Sequence, residues 1–180
     1  MQLSHTIKCS CERVLCSRPY LYSSGCRFLV ELRAEFLYTV EAKDIATKTI
    51  LSEGMKERVE FIVGGLWNDE YGSGYDVALL FQIIHMYSPE QNIQLLTKVR
   101  EAISPSGILV INDQVAVDAP SPLAKLFARL QSLELLNSVN GQTYPPEEIE
   151  GWLVKAGLSN PSTILLRNTP GFGVVVATKP

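Results

Sequence analysis

The chain has 180 residues, of which 46% are hydrophobic and 19% charged, and its formal net charge is -3. This composition excludes a disordered chain, and the slightly acidic balance gives no indication of nucleic-acid binding. No apolar run reaches the roughly 18–20 residues that are needed to cross a bilayer. We therefore expect neither nucleic acid nor a membrane among its partners.

The first thirty residues differ in character from the rest of the chain. They are basic, with four cationic side chains against a single acid, Glu12, and they contain every cysteine of the chain: Cys9, Cys11, Cys16 and Cys26. Because paired Cys-x2-Cys spacing is absent, we predict no metal site. The segment 1–30 is interpreted as an irregular N-terminal extension, with a transit-peptide-like composition as the alternative. Residues 31–180 contain no cysteine, which favours a cytoplasmic domain whose compartment keeps thiols reduced.

Helical and strand patterns alternate from there on, which predicts a single, partial α/β domain over 31–180. The predicted elements are helix Val40–Leu51, strands Val59–Val63 and Tyr75–Phe81, a helix from Pro89, strand Ile108–Ile111, helices Ser121–Asn137 and Pro146–Ala156, and strands Thr163–Arg167 and Gly173–Thr178. The helix from Pro89 has a strong start, because Ser88 and Gln91 form a potential capping box around the proline.

The order of elements favours a doubly wound, mostly parallel sheet with an antiparallel hairpin at its C-terminal end. Ligands of such sheets bind outside the carboxyl ends of the strands. The residues that follow Val63, Phe81 and Ile111 are therefore the candidates for function.

The segment after Val63 contains Gly64, Gly65 and Trp67. Glycines allow a ligand to approach the backbone closely, and an indole offers a flat face to a planar base. The alternative is an ordinary glycine turn beside a core tryptophan.

Polar side chains also follow the next two predicted strands. His85 follows Phe81 and has a side chain that accepts a proton near neutral pH; the alternative is a histidine that is hydrogen-bonded to the helix start. Asp113 follows Ile111, where it would orient a base or contact a polar substrate. The simpler interpretation of Asp113 is a solvated strand end.

Three segments in order resemble a known family. They are Arg58-Val-Glu-Phe-Ile-Val-Gly64, Tyr75-Asp-Val-Ala-Leu-Leu-Phe-Gln-Ile-Ile-His85-Met-Tyr-Ser-Pro-Glu90 and Ile103-Ser-Pro-Ser-Gly-Ile-Leu-Val-Ile-Asn-Asp113. The tail agrees, with Gly141-Gln-Thr-Tyr144 before Glu148-Ile-Glu-Gly-Trp152. Over about residues 36–180 the chain resembles S-adenosylmethionine-dependent O-methyltransferases, whose Rossmann-like sheet has seven strands, the last of them antiparallel.

The resemblance implies a cofactor, a substrate class and a set of site residues. The cofactor is S-adenosyl-L-methionine, and the substrate is a small molecule with a hydroxyl group. His85 matches the family's catalytic base. The family's adenine-contacting pair falls on Gly65 and Leu66, with Trp67 as an aromatic neighbour, and Phe81 and Gln82 match positions that line the cofactor cleft.

Departures from the family pattern lie toward the N-terminus, so we predict an incomplete N-terminal part. The family's glycine-rich loop has at most a trace in Ser23–Leu32, and its ribose-binding aspartate falls on Phe36. These departures keep a second function open, a catalytically inactive methyltransferase-like module for binding or assembly. A third, another nucleotide-dependent Rossmann-like enzyme, is disfavoured because Gly-x-Gly-x-x-Gly is absent. A missing first strand would also expose the edge of Tyr75–Phe81, which predicts a homodimer.

Overall fold

The structure is a computed structural model. It describes residues 13–16, 33–38, 43–52, 54, 56–57, 59–63, 65–67, 69–116, 122–166, 169 and 171–180. Within these ranges the chain forms seven strands and four α-helices. In chain order they are β1 (Arg13–Cys16), β2 (Arg33–Tyr38), α1 (Lys43–Ser52), β3 (Val59–Val63), β4 (Tyr75–Phe81), α2 (Pro89–Ala102), β5 (Ile103–Gln114), α3 (Pro122–Val139), α4 (Pro146–Lys155), β6 (Ser159–Leu165) and β7 (Phe172–Thr178).

All seven strands form one sheet, in the order β3-β2-β1-β4-β5-β7-β6. The five strands β1 to β5 run parallel, and β7 is antiparallel to both of its neighbours. The doubly wound, mostly parallel sheet with a C-terminal antiparallel hairpin is thereby confirmed. From β1 the chain adds β2 and β3 toward one edge of the sheet, and from β4 it adds the remaining strands toward the other edge. The direction of strand addition therefore reverses between β1 and β4, which is the topological switch point where such sheets bind ligands.

The N-terminal segment differs from its prediction at four residues. Arg13–Cys16 lies inside the predicted irregular extension but forms β1, near the middle of the sheet. A four-residue strand is too short for a periodic pattern to reveal it. Because β1 pairs with β4, the predicted exposed edge at Tyr75–Phe81 is wrong. The remainder of 1–30 and the trace at Ser23–Leu32 lie outside the described residues.

Local sequence signals set the ends of the central helix. The Ser88 hydroxyl accepts the Gln91 N–H, and the Gln91 side chain accepts the Ser88 N–H, so the predicted capping box starts α2.

Strand β5 begins at Ile103, earlier than predicted. Pro105, Ser106 and Gly107 do not interrupt it, because the register with β4 shifts there and Ser106 has a left-handed φ of 65°.

The core lies between the sheet and the two helices α2 and α4. Its fully buried side chains include Tyr75 from β4, Leu95 from α2, Leu109 from β5 and Leu153 from α4. One apolar face of each helix therefore packs against the sheet. This packing fixes the position of the start of α2 relative to the carboxyl ends of β4 and β5.

Neither a membrane-spanning helix nor a cluster of three potential metal ligands occurs in the part of the chain that the structure describes.

Candidate active site

Asp113 lies near the carboxyl end of β5 and is almost fully buried, at 1% exposure. Its Oδ1 is 2.6 Å from Nδ1 of His85 and accepts the Gln114 N–H at 2.7 Å. Its Oδ2 accepts the N–H groups of Ile83 and Ile84, each at 2.9 Å. Four hydrogen bonds thus compensate the burial of this carboxylate, as buried charges require.

The interpretation of Asp113 as a solvated strand end is therefore wrong. A signal for its burial was present in the sequence. Along β5 the buried positions alternate, and Asp113 follows Leu109 and Ile111 on the inward face. A polar residue on the buried face of a strand requires a partner, and His85 is that partner.

His85 lies in a 3-10 turn, Ile84–Met86, between β4 and α2, and is 6% exposed. Because a carboxylate only accepts hydrogen bonds, the Nδ1 that faces Asp113 is the donor. Nε2 is then the nitrogen that accepts a proton. The arrangement is that of a general base oriented by a carboxylate.

The backbone carbonyls of this turn are also occupied. The buried Asn92 donates from Nδ2 to the carbonyls of Ile84 and Tyr87, at 2.9 and 3.1 Å. The Tyr144 hydroxyl donates to the Tyr87 carbonyl at 2.6 Å, and the Gln142 N–H donates to the His85 carbonyl at 2.9 Å. The turn is therefore fixed by β5, by α2 and by the segment between α3 and α4.

The segment after β3 is fixed mainly by Lys98 of α2. The Lys98 ammonium donates to the carbonyls of Leu66, Trp67 and Asp69, at 3.1, 2.8 and 2.9 Å. Tyr71 adds a hydroxyl bond to the Leu66 carbonyl, and burial raises the pKa of Tyr71, which keeps the donor protonated. The Gly65 N–H donates to the Asp69 carboxylate at 2.6 Å.

The predicted cofactor residues divide between two neighbourhoods. Leu66 packs against the core, whereas the Trp67 ring meets Tyr87 edge to face at 4.9 Å. The ring also lines a cavity of about 570 Å³ beside α2, together with Gln94 and Lys98. The Trp67 side chain is 37% exposed and lies outside the core cluster, so the alternative of a core tryptophan is wrong.

Phe81 and Gln82 lie at the carboxyl end of β4, next to β1 and the switch point. Gln82 has a left-handed φ of 54°, and its N–H donates to the Asn112 carbonyl at 2.9 Å. A non-glycine residue in this region costs about 1–2 kcal/mol, and such strain clusters at functional sites. Its Oε1 accepts from Gln114 at 3.4 Å, so the two amides join the ends of β4 and β5.

The described residues fit an adenosyl cofactor on one side. Two half-buried apolar side chains follow or end strands on this side of the sheet. Leu66 lies three residues after β3, the edge strand, and Phe81 ends β4, which borders the switch point and is followed by the turn of His85. Phe36, on which the resemblance places the family's ribose-binding aspartate, lies in β2 and pairs with Cys16, the last residue of β1.

The strand order is that of the methyltransferase class of α/β proteins, and this sheet has a buried His–Asp pair at the carboxyl ends of β4 and β5. The model of the O-methyltransferase domain family matches residues 40–159, two thirds of the chain. The chain belongs to this family, which confirms the resemblance seen in the sequence.

Curated relatives are 24–29% identical to the chain over the aligned residues. The chain is 28% identical over 135 residues to 3-hydroxy-5-methyl-1-naphthoate 3-O-methyltransferase of Streptomyces sahachiroi, covering 75% of this chain and 39% of that protein. It is 29% identical over 140 residues to L-tyrosine C(3)-methyltransferase of Streptomyces lavendulae, covering 75% and 37%. The chain thus spans about two fifths of the length of these relatives.

A solved structure extends the likeness over nearly the whole chain. The apo form of the S-adenosylmethionine-dependent methyltransferase SibL matches with a TM-score of 0.84 at 26% identity, covering 95% of this chain and 51% of that one.

Proposed function

We propose that the chain is an S-adenosylmethionine-dependent O-methyltransferase that transfers a methyl group to a hydroxyl of a small molecule. The observation that carries the proposal is the buried His85–Asp113 pair beside the switch point, in a chain of the O-methyltransferase domain family. The hydroxyl acceptor follows the first relative, whose name specifies O-methylation of a hydroxylated naphthoate. The second relative is named for methylation of a carbon of tyrosine, so it supports a small aromatic substrate but not the acceptor atom.

His85 acts as general base in this proposal. Asp113 holds the Nδ1–H and stabilises the imidazolium that forms when Nε2 takes the proton of the acceptor hydroxyl. S-Adenosylmethionine, when bound, supplies an electrophilic methyl group whose bonding electrons remain with sulfur. The acceptor oxygen forms the new bond to carbon, and the proton stays on His85 until solvent removes it.

The cofactor residues remain those predicted from the family resemblance. Gly65, Leu66 and Trp67 are proposed for the adenine, and Phe81 and Gln82 for the wall of the cleft. The anchoring by Lys98 supports the first group, because a fixed segment binds a flat base with less loss of entropy.

One observation favours the second function, an inactive binding or assembly module. The family resemblance places the ribose-binding aspartate on Phe36, which lies in the strand next to β1. Loss of two charge-assisted hydrogen bonds weakens cofactor binding by about 2–4 kcal/mol. A module of this kind keeps the fold without the chemistry.

Two further expectations belong to this proposal. A cytoplasmic location rests on the cysteine-free composition of residues 31–180. A homodimer rests on α3, where Leu126, Leu130, Leu133 and Leu136 are each more than half exposed. The first three of these leucines have helical spacing on one face, and a symmetric pair of such faces is self-complementary.

Calorimetric titration with S-adenosylmethionine tests the proposal, using the wild-type chain and a His85→Ala variant. We expect micromolar binding in both, followed by methyl transfer by the wild type alone in a screen of hydroxynaphthoates and tyrosine. Binding without transfer in the screen, or no binding at millimolar cofactor, would favour the module.

A further inference from the structure

We propose that Gly141 is a positioning residue for His85. The inference rests on the proposed function, in which His85 is the base. Gly141 is buried in the segment between α3 and α4 and lies directly on the carbonyl group of His85.

The contact leaves no room for a side chain. A Cβ built on Gly141 would overlap the His85 carbonyl oxygen and would lie 3.1 Å from both the His85 carbonyl carbon and Cγ2 of Val139. The obstacle is backbone, which cannot rotate away as the end of a flexible side chain would. Gly141 is not among the glycines with a positive φ, so close approach, rather than backbone conformation, is what requires glycine here.

Hydrogen bonds on either side of Gly141 hold this approach in place. The Gln142 N–H donates to the His85 carbonyl at 2.9 Å, and the Gly141 N–H donates to the Leu135 carbonyl of α3 at 3.1 Å. The segment is thus tied to the end of α3 on one side and to the histidine on the other.

The His85 turn is therefore held from two directions. Asp113 binds its N-terminal side, through the N–H of Ile84 and the imidazole, and the Gly141–Gln142 segment binds its carbonyl side. A displacement of the carbonyl changes the direction in which the ring leaves the backbone. Misplacement of a reacting group by about 1 Å can cost on the order of 10²-fold in rate.

Gly151 provides a matched control, because it lies in α4 and an added Cβ there meets nothing within 4 Å. The experiment compares Gly141→Ala and Gly151→Ala with the wild-type chain. The first readout is the ¹⁵N spectrum of the imidazoles, in which His85→Gln identifies the signals of His85 against those of His5. The second is the affinity for S-adenosylhomocysteine, and the third is kcat and KM for methyl transfer.

In Gly141→Ala we expect the downfield Nδ1–H signal of His85 to weaken or shift. Cofactor affinity and KM should change less than twofold, and kcat should fall about 10- to 100-fold. Gly151→Ala should retain the wild-type spectrum and kcat. Wild-type imidazole signals and kcat in Gly141→Ala would overturn the proposal, and so would an equal loss in both variants.

If Gly141→Ala does not fold, an amide-to-ester replacement at Gln142 gives the second test, since it removes the N–H donor without adding bulk. The same shift of the His85 signals is expected, and an unchanged spectrum would overturn the proposal. The result for the positioning of His85 can be read independently of whether the proposed function is correct. Absence of cofactor binding and methyl transfer in the wild type would refute the enzyme, whereas the imidazole spectra still decide whether this segment positions His85.

Discussion

Oδ1 of Asp113 lies 2.6 Å from Nδ1 of His85, and Oδ2 of the same carboxylate accepts the two N–H groups that open the histidine turn. One side chain therefore both folds the turn and orients the ring. Stability and catalysis are coupled at this residue, since any change that misaligns the carboxylate affects both.

Asp113→Asn should lower the free energy of unfolding by about 2–4 kcal/mol, because an amide has one acceptor oxygen and its NH₂ must face a donor. Methyl transfer should fall with it, since the imidazolium loses its counter-charge. Urea denaturation measures the first effect and initial rates measure the second. Asp44→Asn, at the exposed start of α1, is the control and should cost well under 1 kcal/mol. Equal stability of the two variants would contradict the assigned role of Asp113.

Five of the seven strands and most helices could be predicted because their signals are local, whereas β2 (Arg33–Tyr38) was not among the predicted elements. The capping box at Ser88 and the apolar runs of β3 and β4 depend on a few neighbouring residues. The strand Arg13–Cys16 could not be predicted, because four residues in a cysteine-rich segment acquire their place only by pairing with β2 and β4.

The residues of the candidate site could likewise be predicted only where their signals are local. His85 could be proposed from its place after a buried strand, but its partner lies 28 residues further along the chain. The role of Gly141 depends on an approach between segments that are still more distant in sequence. Such contacts leave no periodic pattern, although the inward register of Asp113 on β5 did contain the necessary information.

Lys98→Met should loosen the segment after β3, because the Lys98 ammonium is the shared donor to three of its carbonyls. We expect a loss of about 1–3 kcal/mol in unfolding free energy, since the bonds are charge-assisted but partly exposed. Cofactor affinity should fall as well if this segment holds the adenine. Lys48→Met on the exposed surface of α1 is the matched control. Unchanged cofactor affinity alongside lower stability would remove this segment from the binding site.

Alkaline pH should destabilise the fold through its tyrosines. Burial raises the pKa of Tyr71, Tyr87 and Tyr144 above the ordinary value of 10.0. Above that value the unfolded chain releases these protons before the folded chain does, so the free energy of unfolding falls with rising pH. Between the unfolded-state and folded-state pKa of a tyrosine, that tyrosine lowers the free energy of unfolding by up to about 1.4 kcal/mol per pH unit. Below pH 9 the three groups should contribute no pH dependence.

Urea denaturation at pH 8.5 and 10.5 measures this effect, with Tyr71→Phe as the diagnostic variant. The variant loses a hydrogen bond to the Leu66 carbonyl and should be less stable at both values. Its stability should nevertheless fall less between them than that of the wild type. A fall of the same size in both proteins would show that Tyr71 does not contribute to the alkaline transition.

The leucines of α3 should control self-association. Leu130 and Leu133 are 51% and 60% exposed on one face, and exposed apolar surface of this kind favours burial against a partner. We expect the wild-type chain to be dimeric at about tens of micromolar, the range in which such surfaces associate. The double variant Leu130→Glu/Leu133→Glu should be monomeric by light scattering, because dimerisation would bring four carboxylates together in an apolar interface.

Val154→Glu is the control, since Val154 is 58% exposed and lies on α4, a different helix. It should leave the dimer intact. Dissociation by both variants would point to a general effect of added charge, and a wild-type monomer would refute the homodimer. A loss of methyl transfer in the leucine variant but not in Val154→Glu would show that this face of α3 supports the active site.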